Sequence, residues 1–464
     1  MSLDERINHL RDLVRLINDA SEVVIHEWQA EAKDPNPPAD ASLLPSQVLY
    51  DARRTLLGAC GMASDLVAEP QQRLMEVSIG YYSSRALHVA AEGRVADIIA
   101  EADTGEGVHV SEIASKTGVE HRKLARILRA LCSIHIFKEV KELHFANTQT
   151  SQAMAGNDPL RCWLLAHGME LYTASAGLLN VLFDPARTGS YAVHDAAFND
   201  AHGSELTFWE FLEQREGKPD AAGRPSRGLE IFSLAMVGGG RVHAPPLYAD
   251  YPWAALGKAT IVDVGGGVGG MSLELAKRFP DLNFVVQDRA PVIEKAKAVW
   301  AREVPDVVAS GRITFLVHDF FTEQPVKGAE VYLMRHIIHD WPDAEARTIL
   351  AQLASAMSAR SRILTVDQVV HTTRGSKFLA PAPAPLPANY GHAHVLAHHR
   401  DMNMLANFNA QERRPEDLEE LGRGVGLRVG RVWECRGMMA ITEIVRSEVE
   451  IDWPIPMKAL ASHG

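Results

Sequence analysis

Apolar positions along this 464-residue chain follow three successive patterns. In the first hundred residues they recur at helical spacing, beginning with Leu3, Ile7, Leu10, Val14 and Ile17. The run DPNPPADA at 34–41 interrupts this as a Pro-rich connector. Residues 108–150 then change character. VHVSEIASKTG reads as a short strand, a helix and a glycine stop, and VEHRKLARILRALCSI places Leu124, Ile127, Leu128 and Leu131 on one helical face. IFKEVKELHFANT closes the segment as a small hairpin. Helix, turn, helix and two-stranded wing is a winged-helix pattern. Helices return over 151–240.

From about residue 255 the chain alternates. KATIVDVGGG, NFVVQD, ITFLVHD, EVYLM and RILTVDQVV are apolar, β-branched runs separated by helical segments. That is the signature of an α/β, doubly wound sheet. GLRVGRVWECRG and MMAITEIVR differ, because they are adjacent strands and predict an antiparallel hairpin at the sheet edge. A Pro/Ala/His-rich loop, 379–399, precedes them. The predicted divisions are an N-terminal helical extension over 1–70, a mostly helical, winged-helix part over 71–240 and the α/β part over 241–464.

Composition narrows this picture. Hydrophobic residues at 46% and charged residues at 23% exclude extended disorder, collagen and coiled coil. A net charge of −12 argues against a generic polyanion binder, whose affinity comes from neutralising phosphates. Cys60, Cys132, Cys162 and Cys435 are far apart and read as reduced packing residues rather than a disulfide framework. MSLDERINHLRDLVRLI lacks a signal-peptide core, and no window reaches the roughly 18 apolar residues of a spanning helix. The expectation is a soluble, cytoplasmic protein with neither nucleic acid nor membrane as partner.

The strongest chemical signal is the turn from Asp263 through Gly265, Gly267 and Gly270, which follows an apolar strand and opens a helix. Glycines there permit close backbone approach to a ligand. The next strand ends at Asp288, where an acid can accept from a ribose diol. The D-x-G-x-G-x-G form and the terminal hairpin favour an adenosylmethionine site over a dinucleotide site. Asp319 and Phe320 end the third strand and suit an adenine, by hydrogen bond and by stacking; the plainer reading of Asp319 is a turn cap. His339 follows the fourth strand, outside its carboxyl end, where ligands bind in open α/β sheets. Histidine titrates near neutrality and suits a general base. Asp367 and Glu412 are acids that could orient it, although most glutamates are solvated surface charges.

The segments IVDVGGGVGG, VVQDRAPVI, LVHDFF, LMRHIIHDWPD and NAQERR resemble, in this order, the motif set of plant- and fungal-type class I O-methyltransferases of the caffeic-acid/hydroxyindole type. The resemblance implies a Rossmann-like methyltransferase sheet and a winged-helix dimerisation domain, hence a homodimer. It implies S-adenosyl-L-methionine held by the glycine loop, with Asp288 on the ribose, Asp319 and Phe320 near the adenine, and Arg335 in place of the usual Lys. It implies His339 as the base, flanked by Asp367 and Glu412, and a small phenolic acceptor. Phe232 and Met236 would sandwich that acceptor together with Met404, and either Asn407 or Asn409 would face it. Ordinary helix core is the plainer reading of Phe232 and Met236. Asp367 departs from the usual Glu and is one methylene shorter. No metal is needed, and His392, His394, His398 and His399 read as a flexible loop.

Two other functions compete. A methyltransferase-like cyclase would keep the cofactor as an electrostatic element, and a group of one base and two acids speaks against it. A DNA-binding regulator would use Lys116, Arg122, Lys123, Arg126, Arg129 and Lys138 of the winged helix, which the solvated face of a packing helix would also explain.

Overall fold

Parallel strands buried on both faces need apolar residues at every position, and the β-branched runs of the second half meet that condition. The computed structural model describes residues 1–33, 44–103, 105–219, 223 and 225–449. The connector expected at 34–41 lies outside the described residues. The chain divides into two units: 63–243 with 402–409, and 3–62 with 244–401 and the residues from 410 onward. This grouping differs from the divisions expected at 70 and 240. It counts most of the N-terminal extension with the sheet, and a short return of the chain with the helical half.

In the helical unit, β1 (Val108–His109), β2 (Phe137–Lys141) and β3 (His144–Asn147) form an antiparallel sheet in the order β1-β3-β2. Gly118, in the left-handed region at φ 73°, ends the helix Val110–Thr117 before the helix His121–Cys132 begins. Leu124, Leu128 and Leu131 are buried with Ile113, Phe137 and Phe145 in one core. The winged-helix pattern is therefore present, and the short strand expected at its start pairs with the hairpin as a third strand. Arg122, Lys123 and Arg126 lie on the exposed face, and Arg129 pairs with Glu139 at 2.9 Å. The helix Pro70–Ile79 buries none of its residues; Leu74, Met75, Val77 and Ile79 are 58–72% exposed.

The sheet unit is a seven-stranded sheet of β4 (Thr260–Val264), β5 (Asn283–Asp288), β6 (Ile313–Val317), β7 (Val331–Arg335), β8 (Arg362–Gln368), β9 (Leu427–Glu434) and β10 (Met439–Arg446). Its order is β6-β5-β4-β7-β8-β10-β9, and β10 runs antiparallel to both β8 and β9, as the hairpin pattern predicts. Alternate residues enter opposite cores. Ile261, Val331 and Leu364 join one, while Val262, Tyr332 and Ile363 join the other. The strand order reverses between β4 and β7, so the crevice for a ligand opens at the carboxyl ends of these strands.

The helix Leu3–Lys33 forms as its spacing predicts, but it buries Leu13, Ala20 and Val24 and leaves Leu3 and Val14 exposed. The helix Gln47–Val67 packs on the 379–399 segment of the same unit. The Arg54 guanidinium lies 4.3 Å from the Tyr390 ring centroid. A Cβ at Gly58 would run into the Tyr390 carbonyl, and one at Gly61 into His392. The expectation of a flexible His-rich loop is corrected. Leu379, Leu386, Asn389 and Tyr390 are buried. Asn389 donates to the His371 carbonyl at 2.9 Å, His371 N donates to His394 Nε2 at 3.0 Å, and His398 and His399 belong to the helix Val395–Phe408. Glycine in a helix interior ordinarily costs about 0.5–1 kcal/mol relative to alanine. Gly58→Ala should nevertheless lower the melting temperature, because the helix can seat on Tyr390 only without a side chain there. Scanning fluorimetry reads the sign, and a rise would refute this packing.

Candidate active site

The glycine turn leaves β4 at its carboxyl end. Gly265, Gly267 and Gly269 all have positive φ, between 61° and 75°, which L side chains rarely adopt. Added carbon at Gly265 would strike Ile337 and Phe320, whereas Gly267 faces open space. Gly267 N donates to Asp288 Oδ2 at 2.9 Å, tying the turn to the end of β5. Asp288 Oδ1 accepts from Arg289 N at 2.7 Å, and its carboxylate stays partly exposed. Asp263 is buried and accepts from Ser272 Oγ at 2.6 Å. Burial pushes its pKa up to about 6, against the pull of Ser272 and Arg335.

Asp319 is exposed, and its Oδ1 caps the backbone N–H of Phe321 at 3.0 Å, so the cap reading holds for that contact. Phe320 is half-buried and lies edge-on to Trp341, with centroids 6.0 Å apart. Arg335 ends β7; burial lowers its pKa, while Tyr248, Asp263 and Asp367 oppose that. The buried nitrogens left without an internal partner include Arg335 Nε and His318 Nε2. An open glycine turn, a ribose-type acid and an unpartnered guanidinium nitrogen at one sheet end fit a nucleoside carrying a carboxylate.

His339 sits in the short turn Ile338–Asp340 that follows β7 and is 5% exposed. Its Nδ1 donates to Glu412 Oε2 at 3.1 Å, and its Nε2 lies 3.4 Å from Asp340 Oδ1. Glu412 is 3% exposed, which overturns the surface-charge reading; Asp401 accepts from its backbone N–H at 2.9 Å, and Arg400 stands 3.8 Å from its second oxygen. Asp367 is buried but makes no hydrogen bond to the imidazole. Its Oδ1 accepts from His336 N at 3.1 Å, and its Oδ2 has no partner. The shorter side chain reaches His339 through its field alone.

Burial by itself would push the His339 pKa down. Glu412, then Asp340, then Asp367 outweigh it and hold the imidazolium up to about 10. Burial raises Asp367 to about 7, with His339 pulling it back and the two other acids adding to the rise. Asp340 is a neighbour of His339 that sequence reasoning does not single out. It stands in plain view in HDWPD, but chain adjacency says nothing of which way a side chain turns. His336, His339 and Asp367 also bring ligand-type atoms within 4.8 Å of one another, a spacing that a metal ion could use.

The remaining candidates lie in the helical unit. Phe232 is half-buried and meets Phe208 and Trp209 edge-on at 5.3 and 5.1 Å, while Met236 is 42% exposed. Met404 and Asn407 are buried. Asn407 Nδ2 donates to the Asn403 carbonyl at 3.0 Å, and its Oδ1 is buried without a partner. Asn409 instead spends its amide on the carbonyls of Ser190 and Ala192, at 2.9 and 3.0 Å.

Residues 253–428 match the O-methyltransferase domain, and residues 75–157 match the O-methyltransferase dimerisation domain. The chain is 42% identical to O-methyltransferase tpcA of Aspergillus fumigatus over 95% of its own length and 96% of that protein. It is 40% identical to O-methyltransferase gedA of Aspergillus terreus over 96% and 98%. Among solved structures, CalO1, a methyltransferase in calicheamicin biosynthesis in its SAH-bound form, is 27% identical with a TM-score of 0.64, covering 82% of this chain and 99% of that one. A pericyclic reaction enzyme shares the fold at 20% identity and a TM-score of 0.68, covering 94% of this chain and all of that one. The chain belongs to the O-methyltransferase family. It is an S-adenosylmethionine-dependent enzyme, with the Rossmann-like sheet and helical dimerisation domain of that family. None of the helices among the described residues is long and apolar enough to cross a membrane.

Gly265→Val combines a forbidden φ with a clash against Ile337 and Phe320. It should weaken S-adenosylhomocysteine binding about 100-fold, the equivalent of roughly 3 kcal/mol. Calorimetric titration measures this, and near-normal affinity would remove the turn from the cofactor site.

Proposed function

We propose that the enzyme methylates a phenolic hydroxyl of a small aromatic acceptor, with His339 as general base. The observation that carries this reading is the buried His339 held on Glu412 at the same sheet end as the glycine turn. When bound, the cofactor supplies an electrophilic methyl group, and Asp263, Gly265, Gly267, Asp288, Asp319, Phe320 and Arg335 are the residues proposed to hold it. The protein must then present an oxygen nucleophile and accept its proton.

A phenol has a pKa of about 10, so little phenolate exists at neutral pH. An imidazole whose conjugate acid titrates at about 10 matches it, and proton transfer between the two is close to thermoneutral. Glu412 fixes the ring by accepting from Nδ1, which leaves Nε2 for the acceptor's proton. Asp367 and Asp340 stabilise the imidazolium that results. A positioned base contributes roughly 10²–10⁴-fold, whereas aligning the reactants can supply about 7–11 kcal/mol. Alignment therefore accounts for more of the acceleration than proton removal does.

Phe232, Met236, Met404 and Asn407 are proposed to bind the acceptor. Asn407 is preferred to Asn409 because it keeps a buried, unpartnered oxygen while the Asn409 amide is committed to Ser190 and Ala192. The exposed apolar residues of Pro70–Ile79 and the dimerisation-domain match support a homodimer, for which light scattering should give twice the 50.9 kDa chain mass rather than the monomer value. The four free cysteines fit a reducing compartment such as the cytoplasm.

Labelled cofactor and a panel of hydroxylated aromatics, read by mass spectrometry, test the activity. Cofactor binding without any methylated product would favour a cyclase instead. Within that assay, Phe232→Ala and Asn407→Ala should raise the acceptor KM by about tenfold, equal to about 1.4 kcal/mol of lost contact, and leave the cofactor KM unchanged.

His339→Gln should cut kcat by roughly 10²–10⁴-fold. A raised histidine pKa keeps the proton on the ring until the pH nears 10, so kcat/KM should climb through the alkaline range. Glu412→Gln removes a charge that favours the imidazolium, so this limb should move to lower pH even as kcat falls. A limb that does not move would count against His339.

A further inference from the structure

Arg413 follows Glu412 in the chain and is 3% exposed. A guanidinium is always charged and costs free energy to bury unless its charge and N–H groups are matched. Only part of that matching is an ion pair, Nη2 to Asp343 Oδ1 at 2.8 Å, and the Asp343 side chain is itself 55% exposed. The other hydrogen bonds go to backbone: Nη1 donates to the Ile338 carbonyl and Nη2 to the Trp341 carbonyl at 2.7 Å. Those carbonyls bracket His339, one residue before it and two after it.

The turn needs such support. His336, at its entry, has φ 55°, a left-handed conformation that strains a residue with a side chain. The turn Ile338–Asp340 has no side-chain cap of its own. Arg413 is in turn anchored, since its own carbonyl accepts from Val370 N at 3.2 Å, on the chain leaving β8. Its fork therefore joins the exit of β8 to both ends of the turn that carries the base.

We propose that Arg413 is a positioning residue: its guanidinium clamps the 338–341 turn and so keeps the His339 imidazole against Glu412. The inference rests on the reading of His339 as base. Lysine keeps the charge but presents a single point, and cannot span two carbonyls and a carboxylate as a planar fork does. Charge and geometry are thereby separable.

Arg413→Lys and Arg413→Met, with His339→Gln in parallel, are compared for kcat, KM, pH profile and the NMR titration of the His339 ring. Both Arg413 variants should lose kcat by about 100-fold, the size of an ångström-scale misplacement, and keep the cofactor KM within about threefold. The His339 pKa should fall in both, because the ring leaves the field of Glu412. Asp343→Ala, which spares both carbonyl bonds, should cost less than about threefold. If Arg413→Met does not fold, the lysine variant alone decides. Unchanged kcat and an unshifted His339 titration in Arg413→Lys would overturn the clamp. Undiminished turnover in His339→Gln would instead refute the base, and the ring titration, which needs no turnover, would still report on the clamp.

Discussion

An imidazole buried against carboxylates is the interaction that the sheet end must accommodate. Removing His339 from water disfavours its charged form, and without nearby acids the ring would be a weak base. Glu412, Asp340 and Asp367 reverse that outcome. They arrive from three places: the segment after the helix Val395–Phe408, the histidine's own turn, and β8. Their convergence depends on register. Arg335 at the end of β7 lies opposite Val366 of β8, which puts Asp367 one residue further on, beside His336 and close enough to His339 to be felt but not bonded. A slip of one residue would turn Asp367 to the other face of the sheet.

The glycine turn obeys a related constraint. The strand order reverses at β4, so the chain leaving it meets no crossing helix and can turn through three left-handed glycines. Asp288 holds that turn from the neighbouring strand. His339 and the glycine turn then share one end of one sheet because both follow parallel strands that all end on the same side. The N-terminal extension and the 379–399 segment, which the motifs left without a role, explain each other physically. Gly58 and Gly61 let the helix Gln47–Val67 close on Tyr390 and His392, and Arg54 lies over the Tyr390 ring.

Much of this was legible beforehand. The alternating apolar runs specified the parallel sheet, and the hairpin pattern specified its antiparallel edge. Glycine spacing with Asp288 pointed to a nucleoside, and the strand-end position singled out His339. Some residues looked ordinary because their meaning depends on burial. Arg413 sits in the charged NAQERR run beside the candidate acid Glu412 and carries no signal of its own there, yet both are almost wholly enclosed. Asp340 was one letter of a motif. The 379–399 loop looked mobile from its composition, since proline and histidine content does not reveal a packing partner far earlier in the chain. On the N-terminal helix the periodicity identified the helix but not its buried side, because apolar residues outnumber the positions its neighbours cover.

The amino-acid sequence by itself determined the class of fold, the glycine turn and the family, because each of these depends on local periodicity or on residues closely spaced in the chain. Tertiary structure alone decided which acids reach the imidazole, that Asp367 falls short of it, that Asn407 keeps a buried, unpartnered oxygen while the Asn409 amide is tied to Ser190 and Ala192, and that Arg413 bonds to carbonyls on both sides of His339. The physical reason is that hydrogen bonds and desolvation act over a few ångströms between residues tens of positions apart. Only the packed chain brings such residues within that range.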